Sequence, residues 1–363
     1  MSEFTNRREY RTSFRWQLLA TVSGIALLGF AYETDQARAT DSASLWIELG
    51  GQFAQNESDQ EAFLPPFLLT TPRPPFDAAS PAELKKGAPS GWAGTAKIAF
   101  EPAGTDWVFS VGVRYGTNGR NNTRNQKTAQ LSAGGFQAFY EAYQNIAARE
   151  TKSHAILDFQ AGKDVGLGRF GSGGSSVFSV GLRYAQFNSR SLVGIQSQPT
   201  NIAPAYGSYH KFNAILAAKR KFTGIGPSLS WDASAGLIGD SSAGNISLDW
   251  GVNGALLFGR QRAQVHHQTG DVLHVPYTPT HGSDFVPISV YQHSASPDRS
   301  KQVTVPNFGG FAGVSWRYPN AKVTLGYRAD FFFGAMDGGI DTVRRENVGF
   351  YGPFASVSIG VGG

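Results

Sequence analysis

The ten residues WVFSVGVRYG, Trp107 to Gly116, carry large apolar side chains at every odd position: Trp107, Phe109, Val111, Val113 and Tyr115. The even positions are small or polar apart from Val108. A strand with this period of two has one oily face and one wet face. Aromatic residues stand at both ends of the oily row, which suits a slab of hydrocarbon with two interfaces better than a globular core. The pattern returns almost residue for residue in VFSVGLRYA, Val177 to Ala185, with Arg183 in the place of Arg114. A repeated strand predicts repeated hairpins, because a sheet that crosses a membrane must close on itself to satisfy its backbone.

A leader precedes this pattern. Arg7, Arg8, Arg11 and Arg15 come before an apolar run from Leu18 to Ala31, and Ala37-Arg38-Ala39 offers a small-residue cleavage site. Residues 1–39 therefore read as a secretory signal peptide, and 40–363 as the mature chain. The apolar run is short for a spanning helix, which weakens the rival reading of a membrane anchor. Removing the five basic and four acidic residues of the leader leaves 27 Lys and Arg against 23 Asp and Glu, scattered singly. That distribution gives no footprint for nucleic acid. The chain has no cysteine, which excludes disulfides and thiolate metal sites.

Beyond the leader no apolar run approaches the ~20 residues of a spanning helix, so a membrane form must be a barrel. Alternation predicts twelve strands, at 45–53, 92–101, 107–116, 154–162, 177–187, 212–219, 229–237, 248–258, 261–267, 308–318, 323–333 and 350–361. Turns are expected at 223–227 and at Gly259, and long polar or proline-rich loops at 55–90, 117–152, 188–208 and within 268–300. Long outer loops alternating with short periplasmic turns is the rhythm of an antiparallel up-and-down barrel with both ends in the periplasm. A soluble β-sandwich alternates in the same way and is the rival fold.

The stretches DFQAGKDVGLG from Asp158, GLRYAQF from Gly181, FTGIGPSLSWDASAGL from Phe222 and LDWGVNGALLFGR from Leu248 resemble the Legionella-type major outer membrane protein family. The resemblance covers about a third of the mature chain. It implies a pore-forming outer-membrane β-barrel with no cofactor and no catalytic residues.

Twelve strands spaced by about 4.8 Å enclose a cylinder roughly 24 Å across, narrowed to roughly 10 Å by inward side chains. The wet rows place Lys97, Arg114, Asp158, Arg183, Lys211, Asp232, Asp249, Arg328 and Asp330 along the pore, joined by Glu48, Lys219 and Arg317. Seven cations against five anions predict a weak preference for anionic solutes. The alternative is that the charges pair and brace the barrel. The expected function is passive diffusion of small solutes across the outer membrane of a Gram-negative cell. A closed structural or surface-recognition barrel acting through its outer loops is the second reading.

The expected partners are outer-membrane lipid, small solutes and the barrel-insertion machinery, with oligomeric state open. That machinery is thought to read a terminal aromatic, whereas this chain ends Val-Gly-Gly. Phe136 to Ala147 shows helical spacing of aromatics, predicting a surface helix, or an inward constriction, in the second long loop. Chemistry finds little purchase. His293-Ser294 has no third partner for hydrolysis, and His266 and His267 fall on opposite faces of a strand and cannot share a metal.

Overall fold

The computed structural model describes residues 43–57, 90–131, 139–164, 175–200, 209–240, 244–277 and 284–361, so the proposed leader lies outside the described residues. Every regular element among them is a strand: β1 Ser44–Glu57, β2 Ser90–Glu101, β3 Trp107–Leu131, β4 Phe139–Asp164, β5 Ser175–Thr200, β6 Tyr209–Asp240, β7 Gly244–Tyr277, β8 Asp284–Ala295, β9 Asp298–Tyr318, β10 Ala321–Asp337 and β11 Arg345–Val361. Each pairs antiparallel with its neighbours, and the β1 to β11 and β6 to β7 pairings close the ring. The result is an up-and-down barrel of ten strands. The eleventh, β8, lies outside the ring: the lower part of β7 pairs with β9 and its upper part, from His267, pairs with β8.

Two of the eleven expected strand breaks do not exist. Thr223 to Pro227 and Gly259 lie inside the uninterrupted strands β6 and β7, of 32 and 34 residues. Glycine here serves close packing rather than a turn. A Cβ on Gly226 would sit 1.9 Å from the Leu256 carbonyl oxygen, and one on Gly181 would sit 1.9 Å from that of Phe159. The expected helix is also overturned, since residues 139–147 belong to strand β4. Much of the expected loop at 117–152 and at 188–208 is strand as well, because β3, β4 and β5 run on past the bilayer.

The alternation places oil outside. Trp107, Val111 and Tyr115 are 46%, 44% and 41% exposed on the outer wall, joined by Leu182, Leu229, Val252, Val314 and Ile359. Trp107, Trp316 and Tyr318 mark the end of this band near the short turns, whereas Trp92 and Tyr115 lie towards the other end. Further out along β6 and β7 the polarity of the two faces reverses. The rung Ile225 to Phe258 is the last with apolar residues outside on both strands, and Thr223 to Arg260, Lys221 to Arg262 and Lys219 to Gln264 follow it. On this outer stretch Lys219, Lys221, Arg260 and Arg262 are exposed, whereas Ala214, Leu216, Ala218, Ala263 and Val265 turn inward and are buried. A strand leaving hydrocarbon for water must exchange its oily and wet faces to keep a dry side. The reversal therefore marks the outer edge of the membrane band.

Candidate functional site: the lumen

Ten strands make a cylinder only about 20 Å across, close to the size that side chains alone fill. From the end bearing the short turns, the lumen opens as a cavity of about 550 Å³ whose lining includes Glu48, Lys97, Arg317 and Lys322. Lys322 Nζ lies 2.5 Å from Asp249 Oδ2, and Ser247 and Ser315 share a hydrogen bond of 2.7 Å. This part is wet and lined by serines and opposed charges.

At mid-height the charges meet across the barrel. Arg114 on β3 pairs with Asp330 on β10, four places away around the ring. Arg183 on β5, 3% exposed, makes a two-pronged contact with Asp158, Nε to Oδ1 at 2.6 Å and Nη2 to Oδ2 at 3.1 Å. Its Nη1 donates to Asn253 on β7 at 2.6 Å and to Asn307 on β9, and Asn307 in turn donates to the Phe331 carbonyl. The Arg328 guanidinium lies over the Phe354 and Phe311 rings, 4.8 and 5.5 Å from their centroids. Fork-shaped arginines suit this bracing because each satisfies several acceptors at fixed angles.

Above this layer the lumen turns apolar. Ile156, Ala185, Phe187, Phe222, Leu257, Val305, Phe332, Ala335, Met336 and Phe350 form one buried cluster drawn from seven of the ten ring strands. Phe222, Leu257, Val305 and Phe332 are 0% exposed. Phe187 meets Phe332 edge-on at 4.7 Å and stacks on Phe222 at 5.7 Å. Water does not reach these side chains, so this level is a closed core rather than a pore.

A cap lies over the core. Gly334 takes φ +65°, which only glycine adopts without strain, at a register shift in β10 that buries Ala335, Met336 and Asp337 in succession. The connection from β10 to β11 then folds inward against β6, β7 and β9. Arg220 on β6 donates to the Gly338 carbonyl at 2.9 Å, and Arg299 on β9 donates to the carbonyls of Gly339 at 2.8 Å and Ile340 at 2.6 Å. Arg299 also holds the Asp337 carboxylate at 2.8 Å, and His267 on β7 meets Asp341 at 2.7 Å.

Of the residues expected along the pore, Arg114, Asp158, Arg183, Asp249, Arg328 and Asp330 take part in these inward contacts, and Lys97 and Glu48 line the cavity below. Asp232 occupies the inward row of β6, in register with Val177 and Gly251. Lys219 does not face inward: it is exposed on the outer wall, on the water side of the reversal. Lys211 stands on the same odd row of β6, and its side chain lies outside the described residues. The sequence reading missed Asn307 and the aromatic cluster. An inward phenylalanine and a lipid-facing one look alike until strand length and face reversal are known.

No family model and no curated protein matches the chain. Among solved structures, the transport unit of the autotransporter AIDA-I from Escherichia coli aligns over 93% of this chain and 97% of its own, at 9% identity and a TM-score of 0.26. The toluene transporter TodX of Pseudomonas putida aligns over 89% and 90%, at 8% identity and a TM-score of 0.20. The toluene transporter TbuX of Ralstonia pickettii aligns over 88% and 90%, at 8% identity and a TM-score of 0.17. At such scores nothing about solute or mechanism passes from them to this chain.

Proposed function

We propose that the protein is a barrel in the outer membrane of a Gram-negative cell, offering small solutes a path that is shut at rest by its own side chains. The observation that carries this reading is the buried aromatic and aliphatic cluster spanning the lumen, set above a wet, charged cavity. The resemblance of residues 158–260 to the Legionella-type major outer membrane proteins points the same way, to a pore. Passage then requires the connection between β10 and β11 to lift and the phenylalanines to part. The expected preference for anions is not retained. Among the charges it was counted on, Lys219 faces outward, Lys211 is not placed, and the remaining five cations balance five anions.

A closed recognition barrel is the second reading. It is favoured by strands β3 to β8, which rise beyond the bilayer as a wall. Planar bilayer recording separates the two. The wild-type protein should show long silence with brief conductance steps, and the double variant Phe187→Ala and Phe332→Ala should hold open for longer. A large constant conductance in the wild type would contradict a shut lumen. Silence in both proteins, with heat-modifiable gel migration retained, would favour recognition over passage.

A further inference from the structure

Three side chains that are far apart in sequence converge at the outer mouth: His267 on β7, His293 on β8 and Asp341 in the connection between β10 and β11. One ligand atom from each lies within 4.8 Å of the other two. The strand geometry explains the choice of histidine. His266 is exposed on the outer wall with its Nδ1 2.7 Å from Ser296 Oγ, whereas His267 is fully buried and turned inward. His293 is in register with Thr269, on the same inward row as His267, and the two imidazole rings are 5.2 Å apart. Ser294 next to it is in register with Gln268 on the outward row, so the two neighbours do not act together.

His267 Nε2 is 2.7 Å from Asp341 Oδ1, yet its Nδ1 is buried without a hydrogen-bond partner, as is Thr269 Oγ1 two residues along the row. The His267–Asp341 hydrogen bond alone leaves this buried imidazole half-satisfied, with a second imidazole 5.2 Å away. Two imidazoles and one carboxylate oxygen are, by contrast, a donor set for a divalent transition ion such as Zn²⁺, with a fourth position left to water. A tetrahedral ion with ligand distances of about 2.0 to 2.1 Å requires donors roughly 3.3 Å apart. The separations present, 2.7 Å between His267 Nε2 and Asp341 Oδ1 and none above 4.8 Å, bracket that spacing.

We propose that His267, His293 and Asp341 form a binding site for a divalent transition metal that fastens the connection between β10 and β11 to the wall of β7 and β8. The donors come from three separate segments, so the bound ion acts as a clasp. Its strength adds to that of Arg220 and Arg299, which hold the same connection through backbone carbonyls. The site rests on the geometry of the mouth and stands whether or not the barrel conducts.

The test uses the full mature chain without a histidine tag, folded in detergent and stripped with EDTA, then titrated with Zn²⁺ by calorimetry. One equivalent should bind, and His293→Gln or Asp341→Asn should weaken binding by at least about tenfold, the scale on which even supporting groups around a metal count. Zn²⁺ should also slow tryptic cleavage after the exposed Arg344 in the wild type but not in His293→Gln. Heat-modifiable migration of each variant confirms that the barrel has folded. Absence of saturable Zn²⁺ binding in the wild type, or undiminished binding in His293→Gln, would overturn the site. Binding with tryptic protection but no change in bilayer conductance would uphold the clasp and count against the shut-path reading.

Discussion

Arg114 and Asp330 face one another from strands four places apart around the ring, with the Asp330 side chain 1% exposed. A pair removed from water to this degree is costly to break on one side only, because the survivor keeps its charge without compensation. Asp330→Asn should therefore lower resistance to urea unfolding in detergent by about 3–5 kcal/mol, whereas Arg114→Met combined with Asp330→Leu should cost less than that single change. Both arginines of the repeated strand motif were legible, since each sits in a row of small residues opposite a row of large ones. Arg183 meets Asp158 in register on the neighbouring strand β4, but the partner of Arg114 was not legible, because which carboxylate lies across the lumen depends on strand number and order. Asp337, at the outer end of β10, adds a dependence on pH. Burial opposes its charge, but hydrogen bonds from Arg299 and from the backbone N–H groups of Arg344 and Gly339, with the Arg299 charge, hold its carboxyl below the ordinary value. A folded value below the unfolded one means that its contribution is complete above the ordinary carboxylate range of about 4 and is lost as pH falls through the depressed value. The chain contains no cysteine. A fluorophore on Thr342→Cys should thus report fixed anisotropy near neutrality and a fall below about pH 4.

Strands β6 and β7 carry the lesson at the level of the element. Their alternation is regular throughout, yet the apolar row moves from one face to the other beyond Ile225 and Phe258. Followed from one end, that exchange reads as the end of a strand and the start of another. The GIGP stretch at Gly224 and the glycine at 259 seemed to supply the turns, and two strands became four. The length of the membrane segment was legible because hydrocarbon imposes it. The length of the strand was not, because above the bilayer it is set by packing between walls that no local pattern announces. The cost of charge should follow the same boundary. Leu229→Arg, within the apolar band, should lower folding stability in lipid vesicles by about 2–4 kcal/mol, and Thr223→Arg, two positions outside that band on the same face, by about 0–1 kcal/mol. Equal costs at the two sites would place the membrane edge elsewhere.

For the whole molecule, barrel class and the sidedness of Trp107, Val111 and Tyr115 follow from alternation alone. The state of the lumen does not. A ring of ten strands rather than twelve loses about 4 Å of diameter, which takes most of the space left between inward side chains. The wall is also uneven. β3 pairs with β2 only as far as Asn118, and β8 pairs with β7 alone. Among the described residues, β3 to β8 therefore continue outward as a sheet curved around a gap, having left the closed ring below.

That palisade has two margins, the outer length of β3 and the second flank of β8, where no strand among the described residues pairs with the peptide groups. Deuterium should accordingly enter residues 119–131 and 284–295 within seconds to minutes while amides of β10 and β11 in the bilayer resist for far longer. Uniform protection over both regions would mean that some further chain covers those margins.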